Sequence, residues 1–165
     1  MKLIIHTAIP DAPAPHPCDV LVLSAHPDDA EFGAAGTVIK YVDEGQRVVY
    51  VIATNGDKGT SDRTLTPDKL AAIRRDEQAQ AAESVGAREI VYMNYPDQGL
   101  EETPAFRKDI VRLLRSYRPR MLITSDPYRR YLWHRDHRII GQVAMDAVFP
   151  NARDHLAYPD LLEAG

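Results

Sequence analysis

Between positions 24 and 33 the chain reads Ser24-Ala25-His26-Pro27-Asp28-Asp29-Ala30-Glu31-Phe32-Gly33, which sets an imidazole and two carboxylates within four residues. Downstream, His134-Arg135-Asp136-His137 places two more imidazoles three residues apart around a carboxylate. Metal-assisted hydrolysis needs two or three neutral or anionic ligands and an open position for water, whose pKa the ion lowers to about 7. His26, Asp29 and His137 offer such a set. A second carboxylate has to stay off the ion so that it can take and return a proton, and Asp28 is the candidate. Of His134 and His137, one can bind metal while the other stabilises an oxyanion. Each residue also has a structural alternative. Asp28 or Asp29 could cap the following helix, and Asp136 suits either capping the last helix or orienting His134.

The elements that must position these groups alternate. Val20–Ala25, Val48–Ala53, Ile90–Met93 and Met121–Thr124 are short apolar runs that read as buried strands. Lys2–Thr7 reads as a short edge strand, and the prolines between Ile9 and Pro17 give an extended lead-in. Helices are expected over Ala30–Glu44, with Phe32, Ala35, Val38, Ile39 and Val42 at helical spacing, and over Thr66–Val85, with Thr66 as cap, Pro67 at the first helical position and Leu70, Ile73, Ala81 and Val85 inward. Two more follow over Pro104–Tyr117 and from about His137 to Val148. Alternation of this kind predicts right-handed βαβ units in one α/β domain, a Rossmann-like three-layer αβα sandwich with a mainly parallel sheet. The loops that follow the strands then lie along one edge of the sheet. That edge gathers His26, Asp28 and Asp29, then Asn55 and Asp57, then Asp97, then His134, Asp136 and His137. Asn55-Gly56-Asp57 is also a turn signal, and Arg74 and Arg75 are also ordinary solvated helix residues.

A chain of 165 residues with 44% hydrophobic and 27% charged residues can build a sizeable core, which excludes disordered and collagen-like classes. The formal charge of -4 gives no reason to expect nucleic acid or an anionic membrane, although Arg129, Arg130, Arg135 and Arg138 form a local basic cluster in the sequence. Cys18, the only cysteine, has no partner for an intramolecular disulfide, so a cytoplasmic location is expected. No run approaches the roughly 20 apolar residues of a membrane span. His6, His16 and His155 show no partner in the sequence and are expected at the surface.

Ala25-His26-Pro27-Asp28-Asp29-Ala30-Glu31-Phe32-Gly33-Ala34-Ala35-Gly36-Thr37, followed by Thr54–Gly59, Arg74-Arg75-Asp76-Glu77, Pro96–Leu100 and His134–His137, resembles the LmbE/PIG-L family of metal-dependent N-acetylglucosamine deacetylases. The resemblance covers roughly residues 18 to 165. It implies one divalent ion, Zn2+ with Fe2+ as alternative, held by His26, Asp29 and His137. It implies Asp28 as general base and His134 beside the developing oxyanion, with Arg74 and Asp97 matching positions that contact polar groups of a small sugar conjugate that loses its acetyl group. Asp136 is a further catalytic candidate, and Asn55 and Asp57 are further substrate-binding candidates. Relatives carry a tyrosine two residues before the first downstream histidine, where this chain has Leu132 with Tyr131 adjacent. They also continue with further strand and helix. A truncated or cleaved chain is therefore expected, or one completed by a C-terminal segment or a partner subunit such as a homo-oligomer. Phosphoester cleavage is compatible with the polar loops and arginines, but the sequence shows neither a second complete ligand set for a two-metal site nor a glycine-rich loop ending in Gly-Lys-Ser/Thr. A binding module without turnover is the remaining alternative.

Overall fold

The apolar runs become neighbours in a five-stranded sheet in which every pairing is parallel. The computed structural model describes residues 2–11, 14, 16–131 and 133–162; Leu132 lies outside them. In chain order the elements are β1 (Ile4–His6), β2 (Val20–Ser24), α1 (Asp29–Asp43), β3 (Val48–Thr54), α2 (Pro67–Ser84), β4 (Glu89–Tyr95), α3 (Pro104–Tyr117), β5 (Met121–Ile123) and α4 (Arg135–Asp146). Spatially the strands run β1-β4-β3-β2-β5. The chain moves outward from β2 through β3 to β4, then returns to the other side of β2 for β5. The gap between the ends of β2 and β5 is thus the topological switch point, where open α/β sheets bind ligands.

Alternation of side chains divides the core between the two faces of the sheet. Leu21, Leu23, Val49, Val51, Val91 and Met93 pack with Phe106, Ile110, Leu113 and Leu114 of α3 and Ile140, Val143 and Ala144 of α4. Val20, Val22, Val48, Tyr50, Ile52, Ile90 and Tyr92 pack with Ala30 and Val38 of α1 and Ala82 of α2. Strands buried on both faces explain why their sequences are unbroken apolar runs. Thr66 Oγ1 and Thr103 Oγ1 accept from Lys69 N and Phe106 N, capping α2 and α3 ahead of their first-position prolines.

Three sequence expectations change. Ile73 of α2 is 43% exposed, and the helix instead buries Leu70, Gln78 and Ala82. The buried face is the one from which Gln78 bonds the β2–α1 turn. Phe32 and Ile39 of α1 face outward beside the edge strand β5, while Ala30 and Val38 carry the packing. His6 has a partner after all: its Nε2 lies 3.1 Å from buried Glu89, which also accepts from the Tyr117 hydroxyl and binds Arg47.

One glycine decides how closely α4 can approach. A Cβ at Gly141 would overlap the Ser125 carbonyl oxygen and sit 2.9 Å from Pro127 Cδ. Gly141→Ala should therefore push α4 away from the loop after β5 and cost about 3 kcal/mol by overpacking. Thermal unfolding should show it as a fall of roughly 6–12 °C in the midpoint.

Candidate active site

Two turns deliver the chemistry. After β2 the chain bends sharply at Asp28, whose φ of 91° is left-handed, and enters α1. Asp28 occupies the N-cap position, but its side chain makes no cap hydrogen bond and is left to other partners. Asp29 folds back so that its Oδ2 accepts from His26 N at 2.9 Å, which fixes the carboxylate beside the imidazole. After β5, His134 stands at the N-cap of α4 and His137 one turn in, aimed across the switch point.

His26 Nδ1 lies 3.1 Å from His137 Nε2 and 3.3 Å from Asp29 Oδ2, and His137 Nε2 lies 3.0 Å from Asp29 Oδ1. Four ligands held tetrahedrally at about 2.0 Å from an ion stand roughly 3.3 Å apart, so these three donors already have the spacing of a metal site's ligand shell. In the chain as it stands, a hydrogen bond between the two imidazoles satisfies this contact. His134 joins from one side, its ring centroid 4.6 Å from that of His26 and 5.0 Å from that of His137. His26, His134 and His137 form one group of donors within 4.8 Å of one another; His26, Asp97 and Asp136 form another.

The second group is better read as the support behind His26. Asp136 is fully buried, and its Oδ2 lies 3.0 Å from His26 Nε2 while accepting from Gln98 N at 2.7 Å; its Oδ1 accepts from Leu100 N at 3.2 Å. Asp97 Oδ1 stands 3.1 Å from the same Nε2. With Nε2–H donated to these carboxylates, Nδ1 is the nitrogen turned toward Asp29 and His137, an orientation that carboxylates behind a histidine commonly fix. Asp136 thus turns to His26 rather than to His134 or the end of α4.

The remaining candidates divide by place. Asp28 Oδ2 accepts from Arg74 Nη2 at 2.6 Å, and the same nitrogen donates to Pro27 O at 2.7 Å. Asn55 Oδ1 accepts from Asp57 N at 3.3 Å, an Asx-type turn. Asp57 Oδ1 accepts from Asp97 N at 3.1 Å, and Asp97 Oδ2 accepts from Lys58 N at 3.3 Å, so these loops brace one another. A cleft of about 300 Å³ is lined by His26, Asp28, Asp29, Arg74, His134 and His137, with Asp97 at its base. A second cleft, of about 380 Å³, opens on the far side of Asp29 and His137 and includes Phe32, Ser125 and Arg129. The four clustered arginines do not act together: Arg130 stacks on exposed Tyr131, Arg135 donates to Leu100 O and Arg138 to Trp133 O.

Charge follows from this packing. Burial opposes ionisation of Asp29, but hydrogen bonds from His137 and His26 prevail and hold its carboxyl far below the usual range. Burial would also lower the His26 value, yet hydrogen bonds to Asp29 and Asp136 and the charge of Asp97 raise it above the ordinary histidine pKa. His26 therefore holds a proton more tightly than a free histidine does, and a cation bound at its Nδ1 would have to displace any proton there. Titrating Zn2+ into the chain at neutral pH should release protons, and affinity should fall as pH drops. Calorimetry in buffers of different ionisation enthalpy would detect this.

Residues 21–148 match the family described as PIG-L, GlcNAc-PI de-N-acetylase. The chain belongs to the PIG-L family. It is 37% identical over 129 residues to the diacetylchitobiose deacetylase of Thermococcus kodakarensis, covering 78% of this chain and 48% of that protein. It is 34% identical over 169 residues to the 1D-myo-inositol 2-acetamido-2-deoxy-alpha-D-glucopyranoside deacetylase of Streptomyces scabiei, covering 87% and 52%. Among solved structures, the N,N'-diacetylchitobiose deacetylase of Pyrococcus horikoshii in complex with its inhibitor MPG superposes with a TM-score of 0.86 at 36% identity, covering 89% of this chain and 55% of that one. The chain spans about half the length of the curated relatives it matches. Among the described residues, no helix is long and apolar enough to cross a membrane.

Within this PIG-L domain, sequence reasoning missed Gln78. It is 2% exposed, accepts from Asp28 N at 2.6 Å through Oε1 and donates from Nε2 to Glu31 Oε1 at 3.0 Å. A signal was available, since Gln78 lies four residues after Arg74 and four before buried Ala82, on one side of α2.

Proposed function

We propose that this chain is the catalytic part of a metal-dependent N-deacetylase that hydrolyses the acetamide of an N-acetylglucosaminyl conjugate to a free amine and acetate. The observation that carries the reading is the mutual 3.0–3.3 Å spacing of His26 Nδ1, Asp29 and His137 Nε2. The cleft they share with Asp28, Arg74 and His134 gives the substrate somewhere to lie. His26, Asp29 and His137 would hold Zn2+, or Fe2+, since both accept two imidazoles and a carboxylate. A divalent ion in this position supplies Lewis acidity, lowering the pKa of water to about 7 and polarising a carbonyl oxygen.

The chain's own groups do the rest. Asp28 Oδ accepts a proton from the attacking water and later returns it to the leaving nitrogen. Arg74 holds that carboxylate at the cleft wall. His134, whose pKa is lowered by burial and by the charges of His26 and His137, stays neutral near pH 7 and offers an N–H to the developing oxyanion. Asp136 and Asp97 keep His26 in the tautomer that presents Nδ1. Arg74 lines the cleft where polar sugar substituents would be met, and Asn55 and Asp57 would serve them from the adjoining loop. A reducing, cytoplasmic setting suits the buried thiol of Cys18.

The test is acetate and amine release from N,N'-diacetylchitobiose and from N-acetylglucosaminyl inositol or malate, with metal-loaded and chelated protein, beside a phosphomonoester control. Metal-dependent acetate release is the expected result. Phosphate release without acetate, or full metal occupancy without any turnover across the panel, would overturn the reading.

A further inference from the structure

The weakest point of the site is the backbone of Asp28. Its φ of 91° is a conformation that residues other than glycine adopt at a cost of about 1–3 kcal/mol, so something has to hold it there. Packing alone does not: a groove of about 370 Å³ between α1 and α2, bordered by Pro27, Asp28 and Glu31, leaves the turn room to relax. Two side chains of α2 reach across that groove. Arg74 takes Pro27 O and the Asp28 carboxylate, and Gln78, one turn on, takes the Asp28 N–H.

Gln78 is buried in a helix whose other buried positions are Leu70 and Ala82, and a polar group placed there requires partners. Its carboxamide has one orientation that satisfies both neighbours. The oxygen must face the Asp28 N–H and the NH2 must face the Glu31 carboxylate, at 2.6 and 3.0 Å. The chain Glu31, Gln78, Asp28 N–H therefore runs acceptor, donor, acceptor, donor without a break. It ties the first turn of α1 to α2 at the one residue whose carboxylate is asked to move a proton.

We propose that Gln78 is a positioning residue that clamps the Asp28 backbone in its left-handed conformation and so sets the Asp28 carboxylate against the metal-ligand triad. The inference rests on the reading of Asp28 as proton acceptor, but the clamp itself can be measured without turnover. Gln78→Leu keeps the volume and removes both hydrogen bonds. Gln78→Glu keeps the acceptor for Asp28 N–H but sets a carboxylate against Glu31. Combining Gln78→Glu with Glu31→Gln restores the alternation of donor and acceptor with the roles exchanged.

In Gln78→Leu the Asp28 amide should exchange with solvent at least roughly tenfold faster by NMR, because it has lost its buried acceptor. With an acetamide substrate, kcat should fall roughly 10- to 100-fold, as a misplacement near 1 Å at a reacting group produces, while KM and metal stoichiometry hold. Gln78→Glu should show a similar loss, and the double variant should recover most of it. In an Asp28→Asn background, Gln78→Leu should change kcat by less than roughly twofold, since the two residues act as one unit. Unchanged Asp28 exchange in Gln78→Leu would overturn the clamp. A kcat loss that persists undiminished in the Asp28→Asn background would overturn the positioning role and leave Gln78 a packing residue. If the wild-type chain releases no acetate from any substrate, the deacetylase reading fails, and the exchange measurement still decides the clamp.

Discussion

Asp28→Asn is expected to lower kcat for acetamide hydrolysis by roughly 10²–10⁴-fold, the usual contribution of a positioned general base. Bound metal and KM should stay close to wild type. Asparagine is the informative replacement because it keeps the shape of the side chain and tolerates the left-handed backbone that φ of 91° demands. Alanine would add backbone strain and blur the result. The competing view is that Asp28 is only the partner of Arg74 in an ion pair whose carboxylate side is 47% exposed. Pairs of that kind contribute about 0–1 kcal/mol, too little for a large kinetic effect. Wild-type turnover in Asp28→Asn, with metal content unchanged, would remove Asp28 from proton transfer. A loss of metal along with activity would place its role in holding the turn instead.

The parts of the site that were legible in the sequence are those that depend on local order. His26, Asp28 and Asp29 follow an apolar run, and a strand that hands over to a helix puts such a turn at the ligand-binding edge whatever the remaining topology. Strand identity was equally open to reading, because β2, β3 and residues 90–93 of β4 are buried on both faces and read as apolar runs, whereas buried Glu89 at the start of β4 is held by His6, Arg47 and Tyr117. What stayed hidden depends on elements far apart in the chain. Asp136 meets His26 across a sequence separation of 110 residues, from a helix that Gly141 lets pack closely on the loop after β5. Asp97 and Asp57 brace each other only because β3 and β4 are neighbours in register. Gln78 was passed over because helical periodicity weighs apolar residues, and Ile73 was placed inside on that ground. A polar residue drawn into the core by two specific hydrogen bonds leaves no trace in an apolar pattern.

Asp136 carries the largest expected effect on the metal. Its carboxylate serves three donors at once, His26 Nε2, Gln98 N and Leu100 N, with no access to water. Asp136→Ala would leave buried amides without acceptors, each costing about 1–3 kcal/mol, so loss of stability is expected together with loss of metal. Asp136→Asn is the milder change. With its amide oxygen kept for Leu100 N, the NH2 in the place of Oδ2 gives up Gln98 N and asks His26 Nε2 to become an acceptor. The imidazole proton then moves to Nδ1, the atom that faces Asp29 and His137, and the ligand lone pair is lost. Asp97, 3.1 Å from the same Nε2, still favours the original tautomer, so the site should be weakened rather than abolished. We expect Zn2+ affinity to fall roughly 10- to 100-fold in Asp136→Asn, the scale seen when outer-shell partners of ligating histidines are removed. Competition against a chromogenic chelator would measure it. Wild-type affinity in a folded Asp136→Asn chain would mean that the His26 tautomer does not depend on a charge at position 136, with Asp97 or the amide oxygen itself serving Nε2.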